Sequence, residues 1–159
     1  MLTNIFQQCL ERRETHAPNS GQVEPLLEPS DILSRFLLYK QLLTNDMTSV
    51  RSSLYGGKHD FGFSVFRTTD QSEEVIWQMF YDHVDKPGGR DLIGRADLET
   101  EVYWEANLEV AADQPPPKHY NVIGMPVPDG NLIVAGKKLA ARQYMVSRTR
   151  LILFPLQEN

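Results

Sequence analysis

LETEVYWEANLEV, residues Leu98–Val110, alternates without a break. Leu98, Thr100, Val102, Trp104, Ala106, Leu108 and Val110 fall on one side of a two-residue period, and Glu99, Glu101, Tyr103, Glu105, Asn107 and Glu109 fall on the other. Successive side chains of a strand point to opposite faces. The spacing therefore predicts a β-strand with Trp104 in the middle of its buried face and four glutamates on its wet face. At ~3.3 Å per residue this strand would run ~43 Å, well past the usual strand length, so a bend or bulge is expected in it.

Working back from that stretch, Asp70 and Glu73 have the spacing of a capping box. Val75, Ile76, Met79, Phe80 and His83 or Val84 form a helical stripe that ends at Gly88-Gly89, which predicts a helix over about 71–85. His59–Thr68 places Phe61, Phe63 and Val65 on one face and Phe66 on the other, and the weaker alternation of Met47–Tyr55 pairs with it as a hairpin across Gly56-Gly57. Ser30-Asp31 reads as a helix start. Ile32, Leu33, Phe36, Leu37, Tyr39, Leu42 and Leu43 extend it to about Thr44, where Asn45 and Asp46 break it. A first helix is expected over 3–14 from Leu2, Ile5, Phe6, Cys9 and Leu10, followed by a loop over 15–29 that carries Pro18, Gly21, Pro25 and Pro29.

Beyond the long strand, Gln114–Lys118 holds three consecutive prolines, a stiff extended link. Tyr120–Val127 and Asn131–Val134 read as strands paired across Pro128-Asp129-Gly130, and Gln143–Phe154 reads as a final strand. That strand would place Tyr144, Val146, Arg148, Arg150 and Ile152 on one face. Taken together, the chain is expected to be a single α+β domain over 1–159. Two N-terminal helices, a hairpin and a third helix precede an antiparallel meander of about four strands, with the helices on one face of the sheet. This element order is compatible with a cone-like arrangement such as that of the nuclear transport factor 2 class, although no residue motif points to that class.

The 159 residues are 41 % apolar and 23 % charged, which is ordinary for a chain with a real core. The net charge of −5 disfavours nucleic acid or an anionic membrane as the main partner, because both require a cationic surface. Cys9 is the one cysteine, so no internal disulfide can form, and its apolar neighbours predict a buried, inert thiol. Met1–Glu14 lacks the pattern of a signal peptide, and no apolar run is long enough to span a bilayer. A cytoplasmic location is expected, or assembly inside a host cell if the chain is viral.

No motif identifies a catalytic residue, a metal site or a cofactor. The histidines His16, His59, His83 and His119 belong to no CxxC or HExxH pattern. Asp82, His83 and Asp85 are dense in sequence but diverge around a helix axis. Gly56-Gly57-Lys58 and Pro87-Gly88-Gly89-Arg90 lack the Walker and dinucleotide fingerprints, and turns explain both.

Two functional readings follow. In the first, the chain is a non-catalytic protein-interaction or assembly component, binding a protein partner or a second copy. Its candidate interaction residues are Glu99, Glu101, Glu105, Glu109, Arg148 and Arg150. The two arginines are expected to pair with Glu101 or Glu105 if the final strand adjoins the long one. In the second, it is a small lyase- or isomerase-type enzyme with an aromatic cavity, drawing on Trp77, Trp104, Asp82 and His83 with an Asp or His as general base.

Overall fold

A computed structural model describes residues 26–56, 62–84 and 91–155. The helix expected over 3–14, Cys9, His16, His59, Phe61 and the glycine pairs at 57 and 88–89 lie wholly or partly outside these residues. The organising element is a six-stranded antiparallel sheet in the order β4-β5-β2-β1-β3-β6. Its strands are β1 (Ile32–Leu37), β2 (Phe63–Arg67), β3 (Gly94–Glu99), β4 (Glu109–Ala112), β5 (His119–Ile123) and β6 (Arg150–Leu153). Three α-helices accompany it: α1 (Glu73–Met79), α2 (Thr100–Glu105) and α3 (Leu132–Arg148). The α+β class is as expected. The helix count and placement differ, because α1 covers one face of the sheet while α2 and α3 lie on the other.

The expected helix at 31–44 is instead the central strand β1, followed by a short 3-10 turn at Lys40–Leu42. β1 pairs with β2 on one side and with β3 on the other, where Ile32 faces Glu99 and Leu37 faces Gly94. Leu33 and Leu37 enter the larger core with Val65, Leu98, Tyr55 and Tyr103, and Phe36 enters the second core with Phe66, Ile76, Trp77 and Phe80. A strand buried on both faces is apolar almost throughout, and that run is indistinguishable from a helical stripe by periodicity. Asp31 is no cap. Its buried carboxylate pairs with Arg67 at 2.8 Å and accepts the Glu28 N–H at 2.7 Å.

The long strand is also overturned. β3 stops at Glu99 and the chain winds into α2, whose start is tied down by Thr100 Oγ1 and the Thr100 N–H donating to the Asp31 carbonyl. Val102 and Tyr103, on opposite sides of the strand reading, are both buried, as adjacent residues on the inner side of a helix can be. Asn107, at φ 59°, reverses the chain in the left-handed conformation that commonly ends a helix. Trp104 points outward and is 41 % exposed, so it is not core. β4 then starts at the far edge of the sheet, four strands away from β3.

The helix near 71–85 is present as α1 continuing into a π turn at Phe80–Val84. Its cap is Ser72, whose hydroxyl accepts the Val75 N–H, and not Asp70. β2 lies inside the expected 59–68 strand, but it pairs with β1 and β5, while Ser52–Tyr55 forms a 3-10 turn in place of a hairpin partner. Asn131 starts a helix and not a strand, since its side-chain oxygen accepts the N–H groups of Ile133 and Val134. α3 runs through most of the expected final strand, and only Arg150–Leu153 is extended. β6 adjoins β3 so closely that a Cβ on Gly94 would lie 2.5 Å from the Ile152 carbonyl oxygen.

Candidate functional site: a groove of mixed charge

The end of β3, the start of β1, the outer side of α2 and the junction between α3 and β6 enclose an open groove of about 490 Å³. Ile32, Leu98 and Val102 give it apolar surface, and Asp97, Glu99, Glu101, Glu105, Arg148 and Arg150 give it charge. Five of the six residues expected to form an interaction face therefore meet here. Glu109 does not, because β4 is the opposite edge strand.

The carboxylates are crowded. Glu101 and Glu105 stand one helical turn apart on α2, with Glu99 at its cap. The Glu101 carboxyl is held above its usual value, first by a hydrogen bond shared with Glu99, then by partial desolvation and by the charges of Glu99 and Glu105. Tyr144 of α3 donates its hydroxyl to Glu105, which raises the phenol's own pKa. The Arg148 guanidinium lies 3.8 Å from the centre of the Tyr144 ring.

The expected pairing of Arg148 and Arg150 with the glutamates is absent: among the described residues, neither arginine has a carboxylate of the 99–109 set within ion-pair distance. Arg148 ends α3 and Arg150 opens β6, with Thr149 capping the helix between them, so they do not share a strand face. Arg150 faces Asp97 across the β3–β6 ladder, but that carboxylate is already taken. Arg95 Nε donates to its two oxygens at 3.0 and 3.2 Å, and Ser34 Oγ donates to Oδ1. Arg95 also forks onto Glu73 with two bonds of 2.7 Å and lies 4.6 Å from the Trp77 ring centre. This network of Ser34, Thr68, Glu73, Arg95 and Asp97 is buried except at Glu73, and it meets the groove through Asp97. Its legible trace in the sequence was Arg95 and Asp97 two residues apart, hence on one face of a strand.

The residues considered for an enzyme pocket are not brought together. Trp77 belongs to the core under α1, while Trp104 is exposed on α2 across the sheet. Asp82 accepts a hydrogen bond from the Gln78 amide, and His83 stacks on Phe66. His119 contacts the same phenylalanine, and its Nδ1 lies 2.8 Å from the Asp113 carbonyl oxygen. A second depression at Thr44, Asn45, Asp46 and Arg51 is a turn whose polar groups bond to one another. Among the described residues, no three His, Cys, Asp or Glu side chains converge to hold a metal ion, and no helix is long and apolar enough to cross a membrane. Comparison with family models, with curated proteins and with solved structures finds no match to the chain.

Proposed function

We propose that this chain is a non-catalytic protein-interaction component of a larger assembly, and that it grips a protein segment of mixed charge in the groove beside β6. The observation that carries the reading is that the glutamates of α2 and the guanidinium groups of Arg148 and Arg150 share one open groove without pairing with each other. Such groups keep their capacity for an external partner, and complementary charge across an interface sets specificity and association rate. β6 adds a second handle. It ends the sheet, so its outer edge offers backbone donors and acceptors to an added strand.

The test uses the tagged chain as bait in extract from its native source, beside a version carrying Arg148→Glu and Arg150→Glu. The wild-type bait should retain a companion protein that the charge-reversed bait loses, with circular dichroism unchanged between the two. Sizing of the recovered complex distinguishes a second copy from a different protein. Retention of the same companions by both baits would show that the groove is not the binding face.

A further inference from the structure

Arg35 on β1 projects from the same face of the strand as Leu33 and Leu37, which both belong to the larger core. Its guanidinium lies 4.7 Å from the Phe63 ring centre. The rings of Tyr55 and Tyr103 stand around the same phenylalanine, with centres 5.8 and 6.1 Å from it. Among the described residues, no carboxylate lies within ion-pair distance of Arg35. Two buried atoms of this cluster have no hydrogen-bond partner among the described residues: Arg35 Nη1 and the hydroxyl of the fully buried Tyr103. Burial raises the Tyr103 pKa and Tyr55 adds to the rise, while Arg35 pulls it down, so the hydroxyl lies in the field of the guanidinium. Tyr55 has already given its proton away. The Thr149 hydroxyl donates to the Met145 carbonyl at 2.8 Å, and it therefore accepts from the Tyr55 hydroxyl.

We propose that Arg35 and Tyr103 form a binding site for a small monovalent anion of the halide class, with Arg35 Nη1 and the Tyr103 hydroxyl as its donors. Both groups have a proton to give, so the partner they call for is an acceptor. A water molecule can accept from both, but it needs acceptors for its own two protons and leaves the charge of Arg35 uncompensated. An anion accepts from both and compensates the charge. The larger open spaces of the protein lie elsewhere, in the groove and at the 44–51 turn, which restricts the guest to the smallest anions. Arg35 as a whole is half-buried, so the cluster sits at the margin of the core and not at its centre. An anion held by the folded chain alone stabilises it in proportion to how far its concentration exceeds its Kd. At low halide the two groups cost stability, and with halide bound they contribute to it.

The test follows thermal unfolding of the full chain in sodium chloride and in sodium gluconate at matched ionic strength, gluconate being too large for the site. The wild-type midpoint in chloride should rise above that in gluconate along a saturating curve. Arg35→Met removes the cation and should abolish the difference between the two salts. Tyr103→Phe removes one of two donors and should need about tenfold more chloride for half of the rise. Bromide gives a readout independent of stability. In crystals soaked in sodium bromide, an anomalous peak should lie between Arg35 and Tyr103, and it should be missing from crystals of Arg35→Met. Identical curves in chloride and gluconate would overturn the proposal, as would an unchanged chloride response in Arg35→Met. A water molecule at that place in bromide-soaked wild-type crystals, with no anomalous peak, would overturn it as well.

Discussion

Two arginines enter the two cores of this protein from neighbouring strands, and they are treated in opposite ways. Arg95 on β3 lies under α1, where its side chain is 3 % exposed and its donors are met by Glu73 and Asp97. Arg35 on β1 points to the other face, where its guanidinium lies 4.7 Å from the Phe63 ring centre and its Nη1 is shut off from water without a partner among the described residues. Burial pushes the Arg35 pKa down, against the pull of Tyr103 and Tyr55. Arg95 is subject to the same desolvation, yet its pKa is raised, because Glu73 and Asp97 outweigh it. A buried cation is secured by its carboxylates and not by its position in a strand.

The largest expected effect is on the secured side. Arg95→Met leaves the Asp97 carboxylate buried with Ser34 as its remaining partner, and breaking a buried pair from one side costs about 3–5 kcal/mol. Denaturant unfolding should show that loss as a lower midpoint at unchanged slope. Arg35→Met should do the reverse. It removes an unpaired buried donor and keeps an unbranched apolar stem against Phe63, so the protein should gain about 1 kcal/mol. A comparable loss in both variants would mean that the two sites do not differ as described.

Glu73 gives a smaller effect with a defined pH dependence. The bonds from Arg95 hold its carboxyl below the usual value of 4.5. A group whose pKa is depressed by folding adds stability that is present above its unfolded value and lost as the pH falls through its folded one. Stability of the wild type should therefore decline below about pH 4.5, and Glu73→Gln should flatten part of that decline. At neutral pH the substitution should cost about 1 kcal/mol or less, because the Glu73 side chain is 60 % exposed and solvent screens the pair. An identical acid profile in Glu73→Gln would show that other carboxylates carry the response.

The same contrast explains what the sequence could reveal. α1 was legible because one of its faces is wet, so burial and period agree, and β2 was legible because its alternation falls inside a run bounded by turn residues. β1 was not, because a strand buried on both faces carries no period of its own. Leu98–Val110 misled for a different reason. Thr100, Val102 and Tyr103 are buried by α2 turning inward, while the alternation of glutamates over the same residues matches a strand by chance. Asn107 was the signal to weigh, a residue suited to the left-handed conformation that ends a helix. α3 was hidden because Leu132, Ile133 and Leu139 in its first half are exposed while Met145 alone is fully buried, so no continuous apolar stripe facing the core announced it. Five of the six interaction residues nevertheless converged, since Glu99, Glu101 and Glu105 stay on one short stretch even when its local structure changes. The expected arginine pairing failed because it required Arg148 and Arg150 to share a strand. The network at Arg95 depends on Glu73 and Ser34 arriving from two other elements, and no local pattern encodes that meeting.

The smallest effect tests the unanswered side most directly. Tyr103 is fully buried beside Arg35 and its hydroxyl has no partner among the described residues, whereas the Tyr55 hydroxyl meets Thr149 Oγ1. Tyr103→Phe removes an unsatisfied polar atom and keeps the ring that packs against Tyr55 and Phe63. The gain should be only about 0.5 kcal/mol, near the lower end for burying a hydroxyl, because the nearby positive charge of Arg35 partly solvates the oxygen. That offset makes the two positions dependent on each other. With Arg35→Met already in place the oxygen has no cation beside it, so Tyr103→Phe should then stabilise by more than it does alone. A double-mutant cycle reads the difference as a coupling energy. Strict additivity would separate the two groups, and a loss of stability in Tyr103→Phe would reveal a partner for the hydroxyl, removing it from the unanswered side of the comparison.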